Sequence, residues 1–368
     1  MKKNRRPIVR ACLTFLLILP LILIEVKASN AAYLGCTPKK NLLLYLDARD
    51  SNSYNGSGST WLDLSGCNRN ATLVNSPTSV TGSNGYLQFV SANRQYGYTS
   101  STDSLTSFTI EAYYQITNTT NAICTAIITD SLPTAGGNTP TNFTIGTEAN
   151  VCNTGKIYGA AWSGGTWIYS TGYNQDTNWH HVAMTATYTA TDTGNLQLYL
   201  DSATVGSTVS ATLKTGGQQI NIARRWDDYS LDPTSDYLDA KVSYVKIINK
   251  TLTSTELQNE YLCTTSAPKP YVTIANSPTT IRKLGSNQTL QATSNCPGST
   301  TFYYNNRTIN RCSNIANIQS GNNFVATCTW KPIVQGPNAI KADMNVNYYP
   351  NNVSSTSYIT VSPRNSSR

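Results

Sequence analysis

Carboxylates are scarce in this sequence, which limits the hydrolytic chemistry it could perform. Of its five glutamates, Glu25 lies in an apolar N-terminal segment, and Glu256 and Glu260 lie in a predicted terminal helix. Enzymes that hydrolyse glycosidic bonds place two carboxylates around the scissile bond. Glu111 has no carboxylate two residues before or after it on its predicted strand, and Glu148 lies in a predicted loop. This spacing argues against a glycosidase, although an aspartate site built from distant loops would leave no pattern.

The only histidines, His180 and His181, are adjacent and therefore lie on opposite faces of a predicted strand. A Ser-His-Asp hydrolase would need one of them, and no nucleophile-elbow motif accompanies them. We interpret His181 as a packed, hydrogen-bonded strand residue. We therefore predict that the protein is not an enzyme.

Aromatic side chains on glycine-rich segments are better candidates for a site. Such rings offer flat apolar faces on which sugars stack, while neighbouring Asn, Asp and Gln bind the hydroxyls. The alternative is that they fill a core or cover an edge. The predicted ligand-binding residues are Trp162, Trp167, Tyr169, Trp226 and Tyr229.

A loop dense in acids is a candidate calcium site, because oxygen ligands at short spacing suit Ca²⁺. Its members are Asp227, Asp228 and Asp232, with Asp236 and Asp239 beyond. The spacing matches no fixed calcium loop, and Arg224 and Arg225 next to it could neutralise the charge, so a solvated loop is the alternative. Asp47 and Asp63 form a rival pair that could equally be turn and cap residues.

The first 31 residues are typical of a signal peptide, with a basic start, an apolar stretch from Leu13 to Ile24 and small residues after it. Residues 1–30 hold six of the 27 Lys and Arg and one of the 19 acids, so the remainder has 21 bases, 18 acids and a net charge of +3. We therefore predict an exported protein with no nucleic-acid partner and no membrane span after cleavage.

Eight cysteines follow the leader, and an even number in an exported chain indicates disulfides. Proximity in sequence favours Cys124–Cys152 and Cys312–Cys328, each flanking a predicted hairpin. The other four could pair as Cys36–Cys67 with Cys263–Cys296, or Cys36 could pair with Cys263. Lipidation of Cys36 is a further alternative, disfavoured by a poor lipobox. The absence of a C-x-x-C motif argues against zinc.

Alternating apolar and polar residues predict an all-β chain. Ser107 to Ile116 is the cleanest alternation, and Trp179 to Asp201 predicts an antiparallel hairpin with its turn at residues 192–195. A capping box at Thr253 to Glu256 predicts one short helix that extends through Tyr261.

Seven segments within residues 41–262 resemble, in order, the laminin-G-like and concanavalin-A-like jelly-roll family. The segments are LLYLDA, WLDLSG, GYLQF, SFTIEAY, WHHVAMT with LYLD, INIARR and KTLTSTEL. The resemblance implies a two-sheet antiparallel sandwich of roughly a dozen strands. Many modules of this family hold a calcium ion near a loop rim.

A polar, proline-containing stretch at residues 263–270 predicts a linker between two domains, at 32–262 and 271–368. The second has six or seven short predicted strands, typical of a sandwich. Its FYYNNRTI and ATCTWKP segments resemble bacterial immunoglobulin-like modules, which serve as spacers in exported surface proteins.

These observations predict an exported, non-catalytic protein that binds glycans or a cell-surface partner through its jelly roll. The alternatives are a structural envelope component without a discrete ligand and, less favoured by the carboxylates, a glycoside-active enzyme. Fold alone does not choose among them.

Overall fold

The structure is a computed structural model. It describes residues 39–101, 105, 107–119, 125–130, 143–147, 156–163, 166–167, 173–174, 176–190, 193–212, 219–225, 237–265, 270–274 and 281–363. The predicted signal peptide lies outside these ranges. Within them, no helix is long and apolar enough to cross a membrane.

The first part of the chain contains eighteen described strands, as the composition predicts. They are β1 (Leu42–Asp47), β2 (Thr60–Trp61), β3 (Ala71–Val74), β4 (Thr78–Val80), β5 (Tyr86–Phe89), β6 (Tyr96–Ser101), β7 (Ser107–Ile116), β8 (Thr125–Asp130), β9 (Phe143–Thr147), β10 (Lys156–Ala160), β11 (Trp162–Ser163), β12 (Thr166–Trp167), β13 (Tyr173–Asn174), β14 (Trp179–Ala190), β15 (Thr193–Leu200), β16 (Ala203–Thr212), β17 (Gln219–Ile222) and β18 (Ala240–Ile248).

These strands form two antiparallel sheets and a short ribbon. Sheet 1 has the order β16-β15-β14-β7-β18-β5-β4, and β1 pairs with the other half of β18. Sheet 2 has the order β13-β10-β9-β8-β17-β6-β3-β2, and β11 pairs with β12 alone. Each large sheet has eight described strands, so the two sheets together exceed the dozen strands that the resemblance implies. Several of the additional strands are edge strands of only two or three residues.

The predicted hairpin is present as β14 and β15, with Val182 opposite Leu200 and Met184 opposite Leu198. Ala190 pairs with Thr193, so the connection falls between them. The turn therefore comes earlier than the predicted residues 192–195, because Thr193 and the residues after it continue the ladder.

The core lies between sheets 1 and 2, where the inward residues of both are fully buried. Sheet 1 contributes Ile110, Val182 and Leu198, and sheet 2 contributes Ile128, Phe143 and Ile222. Each such side chain stabilises the fold by roughly 1.5–3 kcal/mol through removal from water.

The described residues contain one α-helix, α1 (Ser254–Thr265), which packs on the outer face of sheet 1. Two short 3-10 helices lie at Lys39–Asn41 and Ser91–Asn93. The predicted capping box begins α1: the Thr253 amide donates to Glu256 Oε2 (2.9 Å), and the Glu256 amide donates to Thr253 Oγ1 (3.2 Å). The helix continues beyond Tyr261, because Cys263 and Thr264 are buried and Thr264 Oγ1 donates to the Glu260 carbonyl (2.8 Å). The start of the expected linker is thus helical.

Ten described strands follow the helix. They are β19 (Val272–Ile274), β20 (Ile281–Lys283), β21 (Gln288–Ser294), β22 (Gly298–Tyr304), β23 (Arg307–Thr308), β24 (Ile315–Ala316), β25 (Ile318–Ser320), β26 (Asn323–Trp330), β27 (Gly336–Val346) and β28 (Val353–Ser362). Sheet 3 has the order β19-β21-β26-β25, and sheet 4 the order β20-β28-β27-β22-β23, with β24 also on β22. The two sheets share a buried core that includes Leu290 and Phe302, and we call this unit the second sandwich.

The second sandwich packs directly on the first unit. The Tyr45 and Tyr349 rings meet edge to face with centroids 6.0 Å apart, and Lys40 Nζ donates to the Val346 carbonyl (2.6 Å). A disulfide between Cys263 and Cys296 connects α1 to the second sandwich. The two units therefore form a joint apolar cluster on the outer face of sheet 1.

A second disulfide joins Cys312 to Cys328, one of the two pairs that spacing favours. Cys263–Cys296 is one of the pairings left open above. Cys67 is also disulfide-bonded. The predicted Cys124–Cys152 pair lies outside the described residues.

Substitution Leu257→Ala tests how much the helix contributes to the fold. Leu257 is fully buried between α1 and sheet 1, so we expect the free energy of unfolding to fall by about 2–5 kcal/mol. Thr255→Ala, an exposed neighbour in the same helix, should change it by less than about 0.5 kcal/mol. Denaturant titration measures both; equal effects would contradict this role of the helix.

Candidate functional site

Two of the predicted binding residues are directly paired. Trp162 of β11 lies opposite Trp167 of β12, and Ser163 lies opposite Thr166. Directly opposed residues of an antiparallel pair share one face of the ribbon. The ribbon lies beside β16, the edge strand of sheet 1. The pairing thus brings the backbones of two predicted binding residues together at an edge of the first unit.

The other predicted binding residues lie outside the described part of the chain. These are Tyr169, Trp226 and Tyr229, together with the candidate calcium ligands Asp227, Asp228 and Asp232. The base of their loop is described: Arg224 and Tyr237 form an isolated antiparallel bridge on either side of it.

An aromatic cluster that the sequence analysis did not single out surrounds this loop base. The Arg224 guanidinium lies 4.5 Å from the ring centroid of Tyr96 and 5.7 Å from that of Tyr237. Tyr98 lies two residues after Tyr96 on β6, and the centroids of their rings are 5.9 Å apart. The Tyr96-Gly97-Tyr98 spacing was the available signal, because alternate strand residues share a face.

The last acid of the candidate calcium loop binds the protein itself. Asp239 accepts hydrogen bonds from the Ser91 amide (2.7 Å) and hydroxyl (2.9 Å), and its side chain is buried. These contacts hold the end of the loop against the segment after β5. Both carboxylate oxygens of Asp239 therefore accept hydrogen bonds from the protein itself.

The rival calcium pair is also engaged in structure. Asp47 forms a two-pronged ion pair with Arg49, each contact 2.8 Å, and accepts the Tyr45 hydroxyl (2.6 Å). Asp63 accepts the amides of Tyr45, Ser65 and Arg69, each at 2.9 Å. Among the described residues, no group of three or more His, Cys, Asp or Glu could hold a metal ion. Asp47 and Asp63 thus act as ion-pair and cap residues, the alternative that the sequence left open.

A buried ionic cluster lies on the outer face of sheet 1 beneath α1. Lys246 Nζ contacts Glu260 Oε2 at 2.6 Å, and His181 Nε2 lies 3.5 Å from Glu111 Oε2. Glu111 of β7 lies directly opposite Lys246 of β18. The strand β14 supplies His181, and α1 supplies Glu260. The four side chains are at most 3% exposed.

Burial raises the pKa of Glu260 to about 7, an effect that Lys246 opposes and Glu111 reinforces. A carboxylic acid with such a pKa can serve as a general acid in an open site. Here the helix and the rings of Tyr244 and Tyr261 surround His181, with centroids 6.3 and 6.1 Å from the imidazole. The cluster therefore joins α1 to sheet 1, and its four charged or titratable side chains are shielded from solvent.

His180 lies on the opposite face of β14 from His181, as predicted, and contacts two carboxylates. Its Nδ1 lies 2.7 Å from Asp201 Oδ2, and its Nε2 lies 2.9 Å from Asp176 Oδ1. The hydrogen bond to Asp201 chiefly raises the pKa of His180, Asp176 adds to the effect and burial opposes it. Hydrogen bonding from the Asn178 amide, aided by His180, lowers the pKa of Asp176 to about 2. His180 thus connects the hairpin to the segment before it.

Comparison with known families identifies the fold of the first unit. Residues 81–258 match the profile of the concanavalin A-like lectin/glucanases superfamily. The expected jelly-roll fold is thereby confirmed for this segment, in agreement with the two-sheet sandwich. No curated protein sequence matches the chain.

Similar solved structures are distant. Trypanosoma rangeli sialidase is 14% identical with a TM-score of 0.43 over 61% of this chain and 33% of that one, so the chain spans about a third of the sialidase. The botulinum neurotoxin DC binding domain, solved with SialylT, is 12% identical with a TM-score of 0.45 over 85% of this chain and 72% of that one. These similarities are too remote to indicate a function.

Substitution Lys246→Met tests the ionic cluster. It leaves the Glu260 carboxylate buried without its cation, so we expect the free energy of unfolding to fall by about 3 kcal/mol or more. The double variant Lys246→Met/Glu260→Leu should recover most of this loss, because an apolar pair needs no compensating charge. Lys241→Met, on the same strand but half-buried, serves as the control. Denaturant titration measures the free energy of unfolding of each variant and of Glu260→Leu alone. If the loss in the double variant equals the sum of the two single losses, the two side chains are not coupled.

The His180 contacts predict a dependence of stability on pH. The folded-state pKa of His180 exceeds its unfolded value, so its contribution is full below about pH 6.5 and is lost as the pH rises through the folded-state pKa. Asp201→Asn should lower the His180 pKa, whereas Asp343→Asn, in the second sandwich, should leave it unchanged. NMR titration of the imidazole measures both, and equal pKa values in all three proteins would exclude this mechanism.

Proposed function

Taking residues 81–258 as a concanavalin A-like lectin domain, we propose that the protein is a non-catalytic glycan-binding protein. The observation that supports this most directly is the pairing of Trp162 with Trp167 across a two-stranded ribbon. In this proposal the two indole rings share one face of the ribbon and form a flat apolar surface, on which the C–H face of a sugar stacks.

The position of the ribbon supports this proposal. The ribbon pairs with neither large sheet and lies beside the edge strand β16. A loop-borne site on a rigid sandwich is a frequent arrangement for recognition, because the sandwich holds the loop while the loop sequence varies. Tyr169, two residues after Trp167 in the sequence, is a further residue of this proposal.

In this proposal the only candidate calcium ligands are Asp227, Asp228 and Asp232. The described acids Asp47, Asp63 and Asp239 are engaged in ion pairs or backbone hydrogen bonds. A calcium requirement would therefore depend on the loop between Arg224 and Tyr237.

A non-catalytic role is favoured over hydrolysis by the surroundings of the carboxylates. Glu111 and Glu260 are buried against Lys246 and His181, and Glu256 caps α1. Hydrolysis of a glycosidic bond requires two carboxylates, one on each side of the bond. The contacts of these three glutamates stabilise the fold instead. A structural envelope component remains the second candidate, supported by the extensive packing of the two units.

Export is part of the proposal. Disulfides such as Cys263–Cys296 and Cys312–Cys328 persist in oxidising compartments, which agrees with the signal-peptide pattern of residues 1–31. The second sandwich, for which we retain the immunoglobulin-like interpretation, would then present the lectin domain outside the cell.

A glycan array of the protein lacking residues 1–31, with 2 mM calcium and again with chelator, tests this function. Selective binding is expected, and its loss with chelator would assign calcium to the Asp227–Asp232 loop. In Trp162→Ala and Trp167→Ala, the dissociation constant should rise about tenfold or more, because each removes a stacking surface.

Tyr358→Ala is the matched control, since Tyr358 is 65% exposed on the second sandwich. Its dissociation constant should stay within about twofold of wild type. Unchanged binding in both tryptophan variants would refute the proposed stacking surface, and an array without hits for a folded sample would favour a protein partner or a structural role.

A further inference from the structure

The two units carry charge of opposite sign, which the net charge of the whole chain hides. Residues 271–368 contain eight Lys and Arg but a single acid, Asp343, for a net charge of +7. Residues 31–270 contain 13 Lys and Arg against 17 acids, for a net charge of −4. A domain-wide excess of one sign attracts ligands of the other sign. The second sandwich is therefore suited to an anionic partner.

A groove of about 430 Å³ opens in the second sandwich. Tyr304 and Trp330 form its floor, with ring centroids 4.9 Å apart, and Ile309 adds to the apolar surface. The exposed cations Arg307 and Lys331 line its rim. Its volume lies within the range of small-molecule sites, about 300–1,000 Å³.

The rim cations have no neutralising acid within their own unit. Asp343 is the only side-chain carboxylate of residues 271–368, and it already pairs with Lys341 at 3.5 Å. Arg307 and Lys331 can therefore donate to an external anion. Hydrogen bonds between such cations and a carboxylate or sulfate are about twice as strong as neutral ones.

Neutral polar side chains also line the groove. Thr308, Asn310 and Thr329 are exposed and line the same groove. An apolar floor, hydroxyl and amide groups on the walls and two cations at the edge suit a ring with one apolar face, several hydroxyls and a negative charge.

The walls of the groove are held rigidly. The Cys312–Cys328 disulfide joins the segment after Ile309 to β26 immediately before Trp330. On the other side, the Tyr304 hydroxyl and the Asn338 side-chain Nδ2 both donate to the Val334 carbonyl, each at 3.1 Å. A preformed groove loses little conformational entropy when a ligand binds.

The groove lies at the end of the second sandwich that faces away from the first unit. Gly298, at the start of β22, pairs with Val346 next to the interface, whereas Tyr304 ends the same strand. Seven strand residues separate these ends by roughly 20 Å. The second sandwich thus holds the groove clear of the lectin domain.

We propose that this groove binds an anionic saccharide, whose sugar rings carry carboxylate or sulfate groups. A nucleic acid is the less favoured ligand, because proteins that bind its backbone distribute many cations along a track, whereas two cations line this groove. The inference concerns a site separate from the tryptophan ribbon and does not depend on it.

The experiment is calorimetric titration of the full chain with four probes. They are a heparin-derived hexasaccharide, an oligogalacturonate of equal length, an uncharged galactan hexamer and a single-stranded oligodeoxynucleotide. At least one anionic saccharide should bind, and the uncharged hexamer should bind at least about tenfold more weakly. Equal binding of the neutral hexamer, or tighter binding of the oligonucleotide, would overturn the proposal.

The variant Arg307→Gln/Lys331→Gln assigns the binding to the groove. Its dissociation constant for the anionic saccharide should rise about tenfold or more, with an unchanged thermal transition because both side chains are exposed. Arg311→Gln/Lys341→Gln is the control: it also removes two positive charges from the second sandwich, neither residue lines the groove, and its dissociation constant should stay within about twofold of wild type. Equal losses in both proteins would mean that overall charge rather than the groove attracts the ligand.

The two proposed sites can be tested independently of each other. Trp162→Ala and Trp167→Ala should retain binding of the anionic saccharide, whereas Arg307→Gln/Lys331→Gln should retain whatever glycan the array assigns to the lectin domain. Loss of anionic-saccharide binding in the tryptophan variants would transfer the site to the first unit and overturn the present assignment.

Discussion

The ion pair between Lys246 and Glu260 is the interaction on which the arrangement of the two units depends. Lys246 lies in the middle of a buried strand, where an uncompensated charge would be strongly unfavourable. Glu260 reaches it only when α1 lies across the outer face of sheet 1. The helix that supplies this carboxylate also carries Leu257 and Cys263, through which the second sandwich joins the same apolar cluster. One buried charge thus requires a helix above it, and the helix positions the neighbouring unit.

Much of the fold follows from local patterns. The strand β7 and the hairpin of β14 and β15 appear where alternation predicts them, and the capping box begins α1 at the expected residue, because these features depend on neighbours in sequence. The extension of α1 to Thr265 was not predictable, since the burial that favours it comes from the second sandwich. The ionic cluster escaped prediction for the same reason: Glu111, His181, Lys246 and Glu260 are separated by up to 149 positions and meet only in the folded sheet.

The candidate sites also differ in whether local sequence predicts them. The tryptophan ribbon could be predicted as a site because both aromatic residues lie within six positions on a glycine-rich segment. The groove of the second sandwich could not, since Tyr304, Arg307 and Trp330 belong to three strands that also read as ordinary core and surface positions. The sequence does contain the positive net charge of the second unit. The net charge of the whole chain conceals it, because the acids of the first unit offset the bases of the second.

The Cys263–Cys296 disulfide has a mechanical consequence. Tension along the backbone would reach Cys263 at the end of α1 and pass through the sulfur bridge directly to Cys296, 33 residues later. The intervening segment, which includes β19 and β21, would bear no load and could not lengthen the chain. Because the bridge enters the second sandwich immediately before β22, a pull would be transmitted to sheet 4 at the end nearest the first unit. Under force the two units would behave as one covalently clamped body.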